Sequence, residues 1–399
     1  MKKNSILTIL FFVLSIAIAV IVVLTLDTKD IVYRPYNKNE VNYILGEFTF
    51  DFDSEVNIKD ILGESYDEVI DTSELGEKEI SVKSKDDKRI TYQIRYKVVD
   101  REAPLIKGSN TITVDKGSDT NLVNKFLCGD YYDDIPNRYI EGDYDINRIG
   151  SYNLTYVGID SSGNKSTKDF TLKVVKPTKS TSSPVTRKSL TEMTEKYIKD
   201  GVKAGIDVSA WQGNINWEKA KNDGVEFAMI RIGYGHNSDN EMVMDKQFTN
   251  NIKKAKEAGI PVGVYFYSYA RTTNEAREQA KWIVDQLDGE KLELPISLDW
   301  ENWSGFNTYN VGFKTLNDIA EAFIDEVEKN GYEASLYSSA YYLNHIWKDN
   351  YNTWLAYWTN DNDYEKEYTM WQVGIGKVNG IGEVDVDLLY DTVQNKKTP

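Results

Sequence analysis

The chain has 399 residues, a length typical of several domains rather than one. Hydrophobic residues make up 41% of it and charged residues 28%, which excludes a wholly disordered protein. The net charge is −16 and no basic cluster stands out, which argues against nucleic acid as a partner.

Metal-binding and nucleophilic side chains are scarce. The single cysteine, Cys128, excludes a disulfide scaffold and a cysteine-based zinc cluster. The two histidines, His236 and His345, are far apart in sequence, which argues against a multi-histidine metal site. We therefore predict no metal and no cofactor. The abundant functional groups are carboxylates and aromatic rings (27 Tyr and 9 Trp), which favour carboxylate chemistry on a flat polar ligand such as a sugar.

An uncharged apolar stretch, residues 6–26, predicts a transmembrane anchor. At about 1.5 Å per residue it is long enough to cross a hydrocarbon core of about 30 Å. Lys2 and Lys3 precede it, so the positive-inside rule places residues 1–5 in the cytoplasm and the rest outside the cell. The alternative is a signal peptide cleaved near residues 17–19, but the residues after that point are still apolar. We predict a single-pass protein of the cell membrane.

Residues 36–176 predict two all-β sandwich domains, 36–103 and 104–176. Apolar and polar residues alternate with period two over residues 90–99 and again over residues 168–175. Gly76 and Gly150 stand near the start of the two copies. The second copy resembles the bacterial Ig-like domains of surface proteins. We interpret both domains as spacers, in preference to adhesins.

Residues 177–203 are predicted to form a linker. They begin with a stretch rich in Pro, Ser, Thr and Lys that has almost nothing to bury. A short helix over residues 191–203 leads into the last domain.

From residue 204 to residue 391 short apolar strands alternate with amphipathic helices, which predicts an irregular, TIM-like β/α barrel. The predicted strands are 205–209, 227–233, 261–269, 295–301, 334–338, 354–358, 369–373 and 384–388. The predicted helices are 247–258, 274–287 and 316–330. In such barrels the working residues lie where strands end at the carboxyl face.

The strand 295–301 carries the most informative pattern. Period two places Asp299 and Glu301 on one face, about 6.6 Å apart along the strand. Carboxylates this close disfavour each other's ionisation, and a protonated acid beside an ionised partner is what glycosidic cleavage requires. Taken alone, such a pair can also be two solvated charges at a strand end without a catalytic role.

Further carboxylates and aromatic residues follow the same geometry. Asp207 lies near the end of the first predicted strand, on the same face as Ser209, and Asp385 lies in the last one. Four carboxylates at the strand ends of one barrel mouth favour a functional role, because burying unpaired charge is costly. The aromatic residues that share these positions can stack on sugar rings or simply pack in the core. They are Tyr265, Tyr267, Tyr269, Trp358 and Trp371.

The order of motifs over residues 204–391 resembles the glycoside hydrolase family 25 lysozymes. These motifs are GIDVSAWQGNINW, IRIGYG, GVYFYSYA, LDWEN, WLAYW and MWQVGIGKVNGIGEVDVDLLY. The resemblance implies a β/α barrel that hydrolyses the β-1,4 bond between N-acetylmuramic acid and N-acetylglucosamine in peptidoglycan. Glu301 matches the general acid/base, and Asp299 matches the carboxylate that assists the substrate's N-acetyl group or stabilises the oxocarbenium-like centre.

The resemblance also implies roles for other residues of the barrel. Asp207 and Asp385 match the two remaining active-site aspartates. One departure is Asp387, where many members have Asn. The residues predicted to bind substrate are Tyr265, Tyr267, Trp358, Trp371 and Gln372.

The leading hypothesis is therefore a membrane-anchored muramidase whose partners are the glycan strands of peptidoglycan and, through the N-terminal helix, the membrane. A catalytically inactive wall-binding or adhesion protein is the alternative. An amidase or peptidase would need a metal or a Cys/His pair. Protein partners are not indicated by the sequence.

Overall fold

The structure is a computed structural model that describes residues 34–37, 40–177, 186–199, 201–235 and 241–394. The predicted anchor, 6–26, lies outside the described residues, as does His236. None of the helices in the described part of the chain has the length and apolar character needed to span a membrane. The described residues up to 102 and those from 103 onward form two compact units, and each is described by itself.

The first unit is built on a four-stranded sheet of order β1-β2-β6-β5. Its strands are β1 (Arg34–Asn37), β2 (Glu40–Asp51), β5 (Gly76–Lys83) and β6 (Ile90–Val99). A two-stranded ribbon of β3 (Val56–Asn57) and β4 (Val69–Ile70) and a short helix, Lys59–Leu62, complete the unit. The alternation predicted for β6 is present, since Ile94, Tyr96 and Val98 are buried and the residues between them are exposed.

The second unit begins with a similar β subdomain, residues 103–177. Its four-stranded sheet has the order β10-β11-β12-β8, and a ribbon pairs β7 with β9. The strands are β7 (Leu105–Lys107), β8 (Thr111–Asp115), β9 (Leu127–Gly129), β10 (Asn137–Glu141), β11 (Gly150–Ile159) and β12 (Lys165–Val175). A 3₁₀ turn, Val123–Lys125, precedes β9. Phe126, Tyr156 and Leu172 lie in its core, and the aromatic rings of the first two are 4.6 Å apart. The Ig-like character of the two β units stays a prediction.

The barrel is a closed sheet of eight strands, which confirms the fold predicted for residues 204–391. The order around it is β13-β21-β20-β19-β18-β17-β16-β14, and β14 pairs back with β13. All neighbours are parallel except those of β21, which is antiparallel to both β20 and β13. The eight strands are β13 (Val202–Val208), β14 (Phe227–Gly235), β16 (Val262–Tyr267), β17 (Ile296–Asp299), β18 (Ala334–Ser339), β19 (Thr353–Ala356), β20 (Tyr368–Val378) and β21 (Gly382–Gln394).

Helices cover the outside of the barrel, and a short strand, β15 (Met242–Met244), extends the sheet beside β14. The helices are Trp217–Asn222, Phe248–Glu257, Thr273–Leu287, Phe313–Lys329 and Ala340–His345. The 3₁₀ segments are Ala210–Gln212 and Trp303–Thr308. A large apolar core fills the space between the sheet and these helices, because the strands are buried on both faces.

The β subdomain 103–177 packs directly on the barrel, a contact that the sequence analysis did not predict. Asn307 accepts a hydrogen bond from the Cys128 backbone N–H (3.0 Å) and donates one to the Phe126 carbonyl (2.7 Å). The Gly312 N–H at the start of the helix Phe313–Lys329 donates to a carboxylate oxygen of Asp134 (2.7 Å). The subdomain thus holds the segment that follows Glu301 and caps the next helix with a negative charge, which favours the helix N-terminus.

Residues 186–199, predicted as part of the linker, are docked on the barrel as well. They contain a short helix, Leu190–Thr194, which overlaps the start of the range 191–203 predicted for one and ends well before its last residue. Ser189 accepts from the Glu192 N–H and Glu192 accepts from the Ser189 N–H, so both ends of a capping box are made. The backbone of Lys377 in β20 donates a hydrogen bond to the Lys188 carbonyl (2.8 Å).

Candidate active site

The barrel topology brings four carboxylates to one cleft of about 340 Å³. Asp299 ends β17, and Glu301 follows two residues later. Asp207 lies near the carboxyl end of β13 and is the register partner of Asp385 in β21. Since β21 is antiparallel to β13, its beginning meets the end of β13, which explains why an early residue of the last strand reaches the same cleft. All four predicted carboxylates line the cleft together.

Burial dominates the electrostatics of these carboxyl groups. It raises the pKa of Asp207 to about 8, with a further contribution from the charge of Asp385. It raises the pKa of Asp385 to about 6, against the opposing charge of Arg187. The pKa of Asp299 is raised well above its usual range by burial and then by Glu301. Near neutral pH the cleft therefore holds protonated and ionised carboxyl groups side by side.

Glu301 differs from the others because its side chain opens to solvent at the mouth of the cleft. The surrounding protein still removes enough water from its carboxyl group to raise the pKa, and the charge of Asp385 raises it further. A carboxyl group that has a raised pKa and is reachable from solvent is suited to donate its proton to a bound ligand. Oδ1 of the buried Asp299, by contrast, has no hydrogen-bond partner among the described residues.

Gln372 positions the carboxyl group of Asp207 at the floor of the cleft. Its Nε2 donates a hydrogen bond to Oδ2 of Asp207 (2.9 Å). Its Oε1 accepts from the Tyr337 hydroxyl (3.0 Å) and from Nε1 of Trp358 (2.9 Å). The two donors on the oxygen determine which way the amide points, so that its N–H₂ faces the carboxylate.

An ion pair holds the opposite side of the cleft. Arg231 pairs with the buried Asp245 through Nη2 (2.7 Å) and Nε (2.8 Å). The same carboxylate accepts from the Ala210 N–H (3.0 Å), in the turn that carries the exposed Trp211. The guanidinium charge works against the raised pKa of Asp299, although burial outweighs it.

The predicted aromatic residues divide between cleft and core. Tyr265 and Tyr267 line the cleft, while Tyr269 lines an adjoining one beside Trp211. Trp358 is 59% exposed and contacts the site through Gln372. Trp371 is only 1% exposed, and its Nε1 donates to the Tyr357 carbonyl (2.8 Å). The prediction that Trp371 binds substrate is therefore wrong, because its ring is buried in the core against Tyr197 at 4.8 Å.

Several residues of the cleft were missed by the sequence analysis. Arg231 alternates with two buried isoleucines along β14, a signal that could have placed it on the inner face. Tyr337 and Trp354 lie in strands that were located correctly, but their side chains resemble ordinary core aromatics. The missed lining residues are Ser209, Trp211, Gln212, Arg231, Tyr337 and Trp354.

Comparisons with known proteins agree with this geometry. Residues 206–376 match the sequence profile of Glycosyl hydrolases family 25. The chain is 29% identical over 204 residues to the uncharacterized protein YegX of Escherichia coli (strain K12), covering 48% of this chain and 70% of that protein. It is 29% identical over 200 residues to Lysozyme M1 of Streptomyces globisporus, covering 45% of this chain and 65% of that protein.

A solved structure adds a further similarity. The modular autolysin LytC from Streptococcus pneumoniae, in complex with a synthetic peptidoglycan ligand, superposes with a TM-score of 0.44 at 25% sequence identity. The match covers 59% of this chain and 56% of that one.

Proposed function

We propose that this chain, whose residues 206–376 form a family 25 glycoside hydrolase domain, is a muramidase that cleaves the β-1,4 bond between N-acetylmuramic acid and N-acetylglucosamine in peptidoglycan. The observation that carries the proposal is the cleft in which Glu301, Asp299, Asp207 and Asp385 meet with raised pKa values. The similarity to a protein named as a lysozyme supports the choice of substrate.

In the proposed mechanism Glu301 is the proton donor. Its carboxyl group gives a proton to the glycosidic oxygen as the C–O bond breaks, and its carboxylate then accepts a proton from the attacking water. Asp299 holds the N-acetyl group that assists the reaction or, in its ionised form, stabilises the positive charge that develops on the sugar. The unpaired Oδ1 of Asp299 is suited to accept a hydrogen bond from an amide N–H of the substrate.

The aspartates Asp207 and Asp385 have a supporting role in this scheme. Asp207 is held by Gln372, so its carboxyl group is fixed before substrate binds. Burial raises the pKa of Asp207 to about 8 and that of Asp385 to about 6, so at neutral pH Asp207 keeps its proton while Asp385 is mostly ionised. The negative charge that Asp385 carries when ionised raises the pKa of Glu301, which helps Glu301 to recover its proton after each turnover.

Product analysis tests this function. The full-length chain and Glu301→Gln act on purified peptidoglycan, and the products are reduced with borohydride and identified by mass spectrometry. We expect new reducing ends on N-acetylmuramic acid with the wild type and at least about a 100-fold slower release with Glu301→Gln. Glu328→Gln, the same change on an exposed face of the helix Phe313–Lys329, is the matched control and should retain wild-type activity. New ends on N-acetylglucosamine, or pelleting with the wall without any new ends, would overturn the proposal.

We also propose that residues 6–26 anchor the chain in the cell membrane as a single-pass helix, with the barrel outside the cell and two Ig-like units between them. The support is the uncharged length of this stretch and the lysines before it. Membranes of cells that express the chain, washed with carbonate, should retain the full-length protein and release a variant that lacks residues 1–27. A mature N-terminus shortly after residue 19 would show a cleaved signal peptide instead.

A further inference from the structure

A second cleft, of about 580 Å³, lies beside Trp358. One wall is formed by residues 186–197, which precede the family 25 segment 206–376. The other wall is formed by residues 358–361 and 373–375. This cleft is therefore built in part from residues that the family match does not include.

The wall formed by residues 186–197 is fixed to the barrel. A Cβ at Gly376 would lie 2.7 Å from Sδ of Met193, so the missing side chain makes room for the short helix. Lys196 donates a hydrogen bond to the Asn360 carbonyl across the cleft, and the Tyr197 hydroxyl donates to the same oxygen (2.5 Å). The cleft is consequently a preformed feature with two connected walls.

Trp358 of the second cleft is hydrogen-bonded to Gln372, which lines the catalytic cleft. Its Nε1 donates to Gln372, which in turn holds Asp207, while much of the indole ring remains exposed. An exposed ring at the edge of a sugar-cleaving site offers a flat apolar surface on which a pyranose can stack. The position of the ring therefore suits a saccharide unit next to the one that reacts.

Basic groups lie at the end of this cleft nearest the carboxylates. Nε of Arg187 contacts Oε2 of Glu383 (3.1 Å), and Glu383 lies on the same face of β21 as Asp385, two residues away. The contact uses Nε, which leaves the two Nη groups of the guanidinium for other acceptors. Lys188 is exposed beside it. The carboxylate of the nearby Glu192 accepts a hydrogen bond from the Ser189 N–H in the capping box.

We propose that this cleft binds a peptide-bearing sugar of the glycan strand, with Trp358 against the ring and Arg187 and Lys188 bound to carboxylates of the attached peptide. The inference rests on the proposed function and adds a preference to it. In a chain of net charge −16, two basic side chains beside an exposed indole provide the complement to a carboxylated saccharide. The peptide is covalently joined to the sugar in the cleft, which favours it over a separate anionic polymer of the wall.

The test compares two substrates. The full-length wild type, Arg187→Ala and Lys188→Ala act on intact peptidoglycan and on the same material stripped of its peptides by an amidase. We expect the wild type to have a higher kcat/KM on intact material, and the ratio of the two kcat/KM values to fall about ten-fold in Arg187→Ala. Arg277→Ala removes the same charge from an exposed position of the helix Thr273–Leu287 and should retain the wild-type ratio.

Three kinetic outcomes would overturn the inference. The first is the same ratio of kcat/KM values in Arg187→Ala and in the wild type. The second is equal kcat/KM values of the wild type on the two substrates. The third is that the loss of kcat/KM in Arg187→Ala disappears when phosphate-containing polymers, rather than peptides, are removed from the wall. Absence of any cleavage by the wild type contradicts the proposed function instead, and the inference is then tested by the binding of a peptide-bearing disaccharide to Glu301→Gln and to the double variant with Arg187→Ala. Equal affinities would overturn it.

Discussion

Gln372 and Asp207, which are 165 residues apart in sequence, are joined by a hydrogen bond of 2.9 Å at the floor of the cleft. Gln372 belongs to β20 and Asp207 to β13, and β21 lies between the two strands. The bond therefore spans a strand of the barrel and connects the two sides of the site. Trp358 and Tyr337 complete the arrangement by donating to the amide oxygen.

Replacing Gln372 should reduce activity. Gln372→Ala removes a hydrogen bond to the Asp207 carboxyl group and leaves Trp358 and Tyr337 without their acceptor. We expect kcat/KM on peptidoglycan to fall about ten-fold, since leaving buried polar groups without their hydrogen-bond partners costs about 1–3 kcal/mol. Gln286→Ala, at an exposed position of the helix Thr273–Leu287, is the control. Equal rates for both variants would show that the bond is not needed.

The buried carboxyl group of Asp207 should make stability depend on pH. Its pKa is raised to about 8 in the folded protein, from a usual value of 3.8. As pH rises from 3.8 to about 8 the unfolded chain loses this proton while the folded chain keeps it, so the free energy of unfolding falls. The stabilising effect is fully present below pH 3.8 and is lost as pH rises through the folded pKa.

Asp207→Asn removes this dependence. From pH 5 to pH 8 we expect the free energy of unfolding of the variant to rise by more than about 1 kcal/mol relative to that of the wild type. The reason is that one pKa unit corresponds to about 1.36 kcal/mol. Denaturant unfolding at the two pH values measures the difference. A stability difference between variant and wild type that is the same at both pH values would contradict the raised pKa.

The contact between the β subdomain 103–177 and the barrel depends on Asn307. Asn307→Ala leaves the Cys128 N–H and the Phe126 carbonyl unpaired in a buried interface, at a cost of about 1–3 kcal/mol for such a group. We expect a lower unfolding midpoint and, because Asn307 lies in the segment after Glu301, a lower kcat. Asn274→Ala, at an exposed position, should stay within about 0.5 kcal/mol of the wild type. An unchanged midpoint for Asn307→Ala would mean that the interface does not form.

Replacing the two tryptophans predicted to bind substrate, Trp371 and Trp358, should have different effects on stability and on KM. Trp371→Ala removes a buried ring and should destabilise the protein by about 3–5 kcal/mol. Trp358→Ala should change stability much less and raise KM, because its ring is largely exposed. Thermal unfolding and steady-state kinetics of both variants test this division. A stable Trp371→Ala with a raised KM would restore the sequence-based interpretation.

The strands and the carboxylates of the barrel could be predicted because their signals are local. Buried parallel strands appear as short apolar runs, and each of the eight predicted strands overlaps an observed one. Asp299 and Glu301 could be placed on one face from period two alone. The assignment of Trp371 failed for a related reason, since both faces of a barrel strand are buried and the sequence does not reveal which face points into the cleft.

The contacts that assemble the site from distant segments could not be predicted. Asn307 and Cys128 are 179 residues apart, and neither residue type indicates a partner. The linker composition predicted a flexible segment, but Leu190 is buried and Met193 fits against Gly376, a fit that depends on the shape of the barrel surface. Such non-local complementarity appears only in three dimensions.

The most direct test of the central claim is whether Glu301 donates the proton to the leaving group. Rates of wild type and Glu301→Gln are compared on the natural glycan and on a nitrophenyl glycoside of the same saccharide, whose leaving group needs no proton. We expect Glu301→Gln to lose at least about 100-fold on the natural glycan and far less on the nitrophenyl glycoside. An equal loss on both substrates would contradict the assignment of Glu301 as the acid.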